Sequence, residues 1–181
     1  MSKARIDLVP EDQLLPETNF VKEMLGTLPI SVQAYAHSPE ILKAFMGLEA
    51  AIFSAMSIAP GLKGKIGFVV SKANGCNYCA AHAGGMMLKG GMSKSDLVCV
   101  LNPESTDNEA DEAALAFTRL AVAKSVTDDS MKRLKEHYNA EQIIEIVSVI
   151  GFFSWTNHVH DALGLEIEEH YEHLGAHLIE A

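Results

Sequence analysis

The sequence predicts a single all-α domain of about seven or eight helices, and three observations favour this fold class. Apolar residues recur at spacings of three and four in most segments, which is the period of an α-helix. Ser, Thr or Asn often precedes these segments and Gly or Pro often follows them, as at helix starts and stops. No two segments alternate in polarity as paired strands do, so a lone strand would lack backbone hydrogen-bond partners.

The first predicted elements follow from these signals. Residues 1–38 carry scattered Pro, Asp and Glu and are expected to form an arm with one or two short helices. Ser38–Pro39 begins a helix that is expected to end before Pro60–Gly61. Residues 62–73 suit either a short buried strand or a helix, and we favour a helix because no partner strand is available.

The helical core is predicted to extend over residues 39–181. Asn74 is a natural N-cap for a helix that runs from Cys76 to about Leu88. The next predicted helices cover 93–100, before Asn102–Pro103, and then 108–124, 127–139 and 141–160. The last of these is apolar on nearly every side, so we expect it to be the most buried helix. Gly164 then precedes a final amphipathic helix.

The composition disfavours two classes of partner. The chain of 181 residues has 14 Lys plus Arg against 24 Asp plus Glu, a net charge of −10, which is unsuited to nucleic acid. No apolar run approaches the ~20 residues that span a membrane, and the N-terminus lacks the apolar core of a signal peptide. Three cysteines in such a chain indicate a reducing compartment, so we expect a cytoplasmic protein.

Two of the cysteines, Cys76 and Cys79, form a C-x-x-C motif. One helical turn separates them, so their sulfurs can approach and form a disulfide. At a helix start, free N–H groups and the helix dipole favour thiolate over thiol. His82 lies a further turn along beside Cys79, where an imidazole can take the thiol proton or stabilise the thiolate. We therefore predict Cys79, Cys76 and His82 as catalytic residues.

The charge is distributed unevenly around this motif. No Asp or Glu lies between Ala50 and Ser95, and this stretch carries five lysines: Lys63, Lys65, Lys72, Lys89 and Lys94. The stretch therefore carries +5 and the rest of the chain −15. A thiol of low pKa is expected in such a positive stretch.

Two other interpretations of the cysteines stay open. They can be two small helix residues without chemistry, or they can bind zinc together with His82 and Cys99. The zinc site is disfavoured because the chain lacks a second C-x-x-C or His pair at the usual spacing. Cys99, between two valines, is interpreted as a small buried apolar residue.

The histidines near the C-terminus are a further candidate. Four residues of the final predicted helix share one stripe: Glu166, His170, His173 and His177. Such a stripe can bind a metal, but it borders an apolar face and is more typical of the edge of a packed surface. We interpret His158 and His160 as core or interface histidines, with lining of the thiol pocket as the alternative. No metal or cofactor site is predicted.

Three segments resemble one protein family. They are Ser71–His82, which contains Asn-Gly-Cys-Asn-Tyr-Cys, together with Pro39–Ile41 and Asn157–Leu165. Together they resemble the AhpD-like or carboxymuconolactone decarboxylase superfamily, particularly its peroxidase-related branch. The resemblance implies an all-α fold assembled as trimers or hexamers. It also implies reduction of a hydroperoxide or disulfide substrate, with an external dithiol or a protein as reductant.

The resemblance assigns roles to the two thiols, but this sequence differs from the family pattern at two positions of the proton relay. By position, Cys79 attacks the peroxide and Cys76 resolves the sulfenic acid as a disulfide. The relay Glu of the family is replaced here by Gly64, and the relay His by Ala83, with His82 one residue earlier. The missing Glu keeps two alternatives open: a non-catalytic redox sensor or scaffold, and a carboxymuconolactone-decarboxylase-like enzyme. The latter is less favoured because those enzymes do not depend on C-x-x-C.

Overall fold

The computed structural model describes residues 3–102 and 108–180. Ten α-helices lie in these ranges: α1 Asn19–Leu25, α2 Ile30–Tyr35, α3 Pro39–Ser54, α4 Pro60–Ala73, α5 Asn77–Lys89, α6 Lys94–Leu101, α7 Glu109–Val122, α8 Asp128–His137, α9 Ala140–Leu163 and α10 Glu169–Glu172. No β-strand occurs within the described ranges, which confirms the all-α prediction. The helix count exceeds seven or eight because the arm contributes α1 and α2. Pro103, the predicted stop after α6, lies outside the described residues.

Two predicted helix starts are formed by side-chain caps. The Ser93 hydroxyl accepts the Asp96 N–H at the start of α6, and the Asp96 carboxylate accepts the Ser93 N–H at 2.7 Å. Thr127 and Ser130 make the same reciprocal pair at the start of α8. These capping boxes satisfy N–H groups that have no partner within the helix.

The centre of the fold is formed by α4 and α5, and α4 packs against α5, α7 and α9. Ile66, Phe68 and Val70 of α4 are fully buried. The prediction that the 141–160 helix is the most buried is wrong, since Ile144 and Trp155 of α9 are 68% and 42% exposed. One side of α9 covers the central helices, while the other side faces outward. None of the described helices has the length and apolar character needed to cross a membrane.

The C-terminal segment does not form the predicted continuous helix. Gly175 takes a left-handed conformation (φ +66°) after the single turn of α10, and a 3-10 turn over Ala176–Leu178 follows. The segment packs closely on α5. A Cβ added to Gly85 would lie 2.6 Å from Tyr171, and one added to Gly84 would lie 2.7 Å from Ala176. The absence of side chains at these two glycines therefore lets the segment dock.

This break removes the predicted histidine stripe. Residues 166, 170, 173 and 177 do not share one helix, because α10 spans only Glu169–Glu172. Among residues 3–102 and 108–180, no three His, Cys, Asp or Glu side chains are grouped so that they could hold a metal ion. That finding also gives no support to the alternative zinc site. Cys99 is half-buried rather than fully buried.

A candidate dithiol active site

The cysteine pair lies at the first turn of α5, where both side chains are buried. Cys76 is the N-cap of α5, and its Sγ accepts a hydrogen bond from the Cys79 N–H at 3.4 Å. The predicted N-cap, Asn74, instead ends α4, and its side-chain amide donates to Asn157 Oδ1 at 2.9 Å. The first thiol therefore occupies the position where the helix N–H groups and dipole act most directly.

The imidazole that contacts Cys79 belongs to His160 of α9. Its Nδ1 lies 3.2 Å from Cys79 Sγ, and its Nε2 lies 2.9 Å from Tyr35 Oη. Burial, reinforced by the charge of His82, lowers the pKa of His160 to about 3. His160 is therefore neutral at pH 7. It is a weak base while Cys79 stays a neutral thiol, and a thiolate formed beside it would raise its pKa. The sequence predicts His82 in this place, but His82 Nε2 contacts Glu168 instead.

The two thiols differ in their hydrogen bonds and therefore in their pKa. The hydrogen bond from the Cys79 thiol lowers the pKa of Cys76, despite the opposing effect of burial. The same hydrogen bond, followed by burial, raises the pKa of Cys79. Cys76 is thus the more acidic thiol of the pair.

His82 and Glu168, the residue directly before α10, form a second polar cluster. His82 Nε2 lies 2.6 Å from Glu168 Oε2, and Glu168 Oε1 accepts the Tyr78 hydroxyl at 2.9 Å and the Ile30 N–H at 2.7 Å. Burial alone would raise the pKa of Glu168. The hydrogen bond and charge of His82, with the Ile30 N–H, lower it to about 2. An ionised carboxylate is therefore held against His82 and Tyr78.

The carboxylate does not come from the position where the family has its relay Glu. A Cβ added to Gly64 of α4 would lie 3.2 Å from Met87 Cγ, so that position faces the Met87 side chain. Glu168 is instead brought in from the C-terminal segment, which docks on α5.

Two of the five lysines of the acid-free stretch are paired with acids of other helices. The buried Lys63 forms an ion pair with Glu145, and Lys65 Nζ lies 2.6 Å from Asp111 Oδ2. These acids neutralise part of the charge of the stretch. The low pKa of Cys76 comes from hydrogen bonding at the helix start rather than from lysines.

A cavity of about 110 Å³ opens beside the pair, and its walls include Cys76, Tyr78, His160 and Asp161. Cys79 is not part of these walls. A larger cleft of about 420 Å³ lies alongside and shares Tyr78 with the cavity. A small molecule that enters the cavity therefore meets Cys76 and the edge of His160.

Sequence reasoning found part of this site. It identified both cysteines, and it kept a thiol-pocket role for His160 as the less favoured alternative, which the structure bears out. His158, by contrast, is exposed, with Nδ1 2.6 Å from the Ser154 carbonyl. Tyr35 and Glu168 were missed. The Asn157–His160 part of α9, which belongs to the family resemblance, was the available signal for His160; Tyr35 had none.

The fold and the site define an all-α protein with a buried dithiol at a helix start. The model of the carboxymuconolactone decarboxylase family matches residues 39–129. The chain therefore belongs to this family, as its motifs suggested.

Known proteins of similar sequence and structure extend this finding. The chain is 28% identical over 138 residues to the uncharacterized protein YdfG of Bacillus subtilis (strain 168), covering 74% of this chain and 93% of that protein. The debrominase Bmp8, crystallised as a cysteine-to-alanine variant with 2,3,4-tribromopyrrole, superposes with a TM-score of 0.84 at 26% identity over 96% of both chains. A peroxidase-related protein with an AhpD core from Ralstonia eutropha JMP134 has the same fold, with a TM-score of 0.82 at 20% identity over 94% and 95% of the two chains.

Proposed function

We propose that the chain is a thiol-dependent oxidoreductase of the alkylhydroperoxidase type, which reduces hydroperoxides through a Cys76–Cys79 dithiol/disulfide cycle. The observation that carries this proposal is the arrangement at the start of α5. One thiol borders a cavity, and the other contacts a neutral imidazole, His160. This places an activated sulfur and a proton acceptor together, as nucleophilic thiol chemistry requires.

The cycle consumes one hydroperoxide and two thiol hydrogens. A thiolate attacks the terminal oxygen of the hydroperoxide, the O–O bond breaks, and the alcohol leaves after it takes up a proton. The sulfenic acid that remains is attacked by the second thiol, which forms the disulfide and releases water. An external dithiol or a protein thiol then reduces the disulfide, and the cycle needs no other cofactor.

His82 is proposed to act through its neighbours. Its ring lies 4.5 Å from the Tyr78 ring, and Glu168 binds both His82 and the Tyr78 hydroxyl. Tyr78 lines the cavity next to Cys76. His82 and Glu168 are therefore positioning residues, which hold the Tyr78 side chain in the wall of the cavity.

A second candidate reaction is reductive removal of bromine from a small aromatic compound. The similarity to the debrominase Bmp8, at 26% identity over 96% of both chains, favours it. A thiolate would take up the bromine as a sulfenyl bromide while the ring carbon gains a proton. The second thiol would then form the disulfide and release bromide. The same two cysteines and the same external reductant serve both reactions.

We also propose a cytoplasmic homo-oligomer, a trimer or hexamer. Several large apolar side chains on α3 and α9 are exposed in the single chain: Ile41, Leu48, Phe53, Ile144 and Trp155. Exposed apolar patches of this kind mark contact surfaces between proteins. Sedimentation of the purified protein tests this, and a monomer at micromolar concentration would contradict it.

The test of the proposed activity is consumption of cumene hydroperoxide in the presence of a dithiol, with 2,3,4-tribromopyrrole as a parallel substrate. Wild type and the control Cys99→Ser are expected to turn over repeatedly, while Cys76→Ser and Cys79→Ser lose at least about 100-fold, because neither can close the disulfide. A wild type that forms a reversible disulfide but consumes neither substrate would instead support the redox sensor.

A further inference from the structure

Tyr35, the last residue of α2, is buried against the imidazole that contacts the cysteine pair. Its Oη lies 2.9 Å from His160 Nε2, and His160 Nδ1 lies 3.2 Å from Cys79 Sγ. Only 6% of Tyr35, 6% of His160 and 4% of Cys79 are exposed. The three side chains therefore form a continuous line of polar contacts from α2 through α9 to α5, shielded from bulk water.

The Tyr35 ring is held on several sides. It stacks on Trp155 of α9, with ring centres 5.7 Å apart and an angle of 11° between the planes, and it packs on Phe45 of α3 at 4.9 Å. The other end of α2 is also fixed, because Glu168 Oε1 accepts the Ile30 N–H at 2.7 Å. Since α2 has only six residues, these contacts together determine where the Tyr35 hydroxyl lies.

A hydroxyl suits His160 because it can both donate and accept a hydrogen bond. When Nδ1 takes the Cys79 proton, one S–H bond breaks, one N–H bond forms, and both ring nitrogens then carry hydrogen. The new thiolate accepts the Nδ1–H, and Tyr35 Oη at 2.9 Å accepts the Nε2–H. Burial lowers the pKa of His160, so the ring holds this second proton only if both N–H groups have acceptors. Removal of the Tyr35 hydroxyl would leave a buried N–H without the partner it has in the structure, which is costly.

We propose that Tyr35 is a positioning residue of the dithiol site, whose hydroxyl pairs with His160 Nε2 and so lets Nδ1 take the proton of Cys79. This inference rests on the proposed dithiol function but not on which of the two thiols attacks the substrate. Tyr35 and His160 both lie outside residues 39–129, which match the family model. The matched region thus supplies the thiol pair, while the arm and α9 supply the groups that handle its proton.

The first experiment is a double-mutant cycle on the turnover of cumene hydroperoxide. Tyr35→Phe keeps the ring and its stacking and removes only the hydroxyl, so it is expected to lower kcat about 10-fold while KM changes less than about 2-fold. In a His160→Gln background, the same substitution is expected to lower kcat less than about 2-fold, because the hydroxyl acts through the imidazole. An equal loss in both backgrounds would show a general effect on packing and would overturn the proposal.

The matched control is Tyr138→Phe. Tyr138 follows α8, is buried like Tyr35, and lines neither of the two cavities beside the cysteine pair. Its variant is expected to keep kcat within about 2-fold of wild type. If it loses as much as Tyr35→Phe, the loss of any buried hydroxyl would explain the effect, and the proposal fails.

The second experiment measures the Cys79 thiolate without any substrate. In a Cys76→Ser, Cys99→Ser background Cys79 is the single thiol, and its alkylation by iodoacetamide at pH 7 reports the thiolate. Tyr35→Phe and His160→Gln are each expected to slow this reaction at least about 5-fold, and the two together no more than His160→Gln alone. An unchanged rate in Tyr35→Phe would contradict the proposal. Because no peroxide is used, failure of the proposed function and failure of the role of Tyr35 remain distinguishable.

Discussion

Two histidines pack against Tyr78, and the structure gives them different partners. The Tyr78 ring centre is 4.5 Å from that of His82 and 5.1 Å from that of His160. His160 is buried against a thiol and a tyrosine and stays neutral, while His82 pairs with the ionised Glu168. The packing around each imidazole, rather than its distance from Cys79 along the sequence, therefore decides which histidine contacts the thiol.

The largest effect is expected on turnover. His160→Gln removes the proton acceptor of Cys79 and is expected to lower kcat with hydroperoxide by about 100-fold, since general-base catalysis contributes on the order of 10²–10⁴. His82→Gln keeps a hydrogen bond to Glu168 and is expected to lose less than about 10-fold. Steady-state assays at saturating reductant measure both.

A second readout separates a loss of catalysis from a loss of structure. Dimedone labelling after one equivalent of hydroperoxide reports the sulfenic acid, and His160→Gln is expected to change the amount of adduct more than His82→Gln does, because the His160 ring contacts Cys79 and the His82 ring pairs with Glu168. If His82→Gln loses more activity than His160→Gln and shows the greater change in adduct, the distinction between the two histidines fails.

The next effect concerns stability at acidic pH. The pKa of His160 is lowered by folding, so the unfolded chain binds more protons and stability falls as the pH drops below 6.5 toward about 3. Between pH 7 and pH 5, this group is expected to remove about 2 kcal/mol of unfolding free energy. Urea unfolding at the two pH values should show this loss in wild type and not in His160→Gln. The control His158→Gln alters an exposed histidine of the same helix, and it should retain the wild-type dependence.

The last effect concerns the carboxylate. Glu168→Gln keeps an acceptor for the Ile30 N–H but loses the charge that binds His82, and it is expected to lower the free energy of unfolding by about 3 kcal/mol at pH 7. The pKa of Glu168 is lowered by folding to about 2, so its stabilisation is present above about pH 4.5 and lost as the pH falls toward 2. Thermal unfolding of the variant should therefore approach that of wild type near pH 2. A difference that persists there would show that the role of Glu168 is packing rather than charge.

Much of the fold could be predicted because its signals are local. Ser93 and Thr127 begin α6 and α8 through bonds to residues three positions away, and Pro39 occupies the first turn of α3. The burial of α9 could not be predicted in this way. An apolar sequence shows that a helix avoids water, but it does not show which partner covers each side.

The site also combines local features with contacts between residues that are far apart in the sequence. One turn between Cys76 and Cys79 and a helix start at Cys76 are local properties, so the sequence by itself determined that the two thiols lie one turn apart at a helix start. The partners of the pair lie far along the chain, with His160 81 residues from Cys79 and Glu168 90 residues from Tyr78. Only the tertiary structure decided those partners, because the side-chain-free surface of α5 at Gly84 and Gly85 admits the C-terminal segment and α9 packs beside it. The tertiary structure also pairs two lysines of the acid-free stretch, Lys63 and Lys65, with acids of other helices, since charges act through space rather than along the chain.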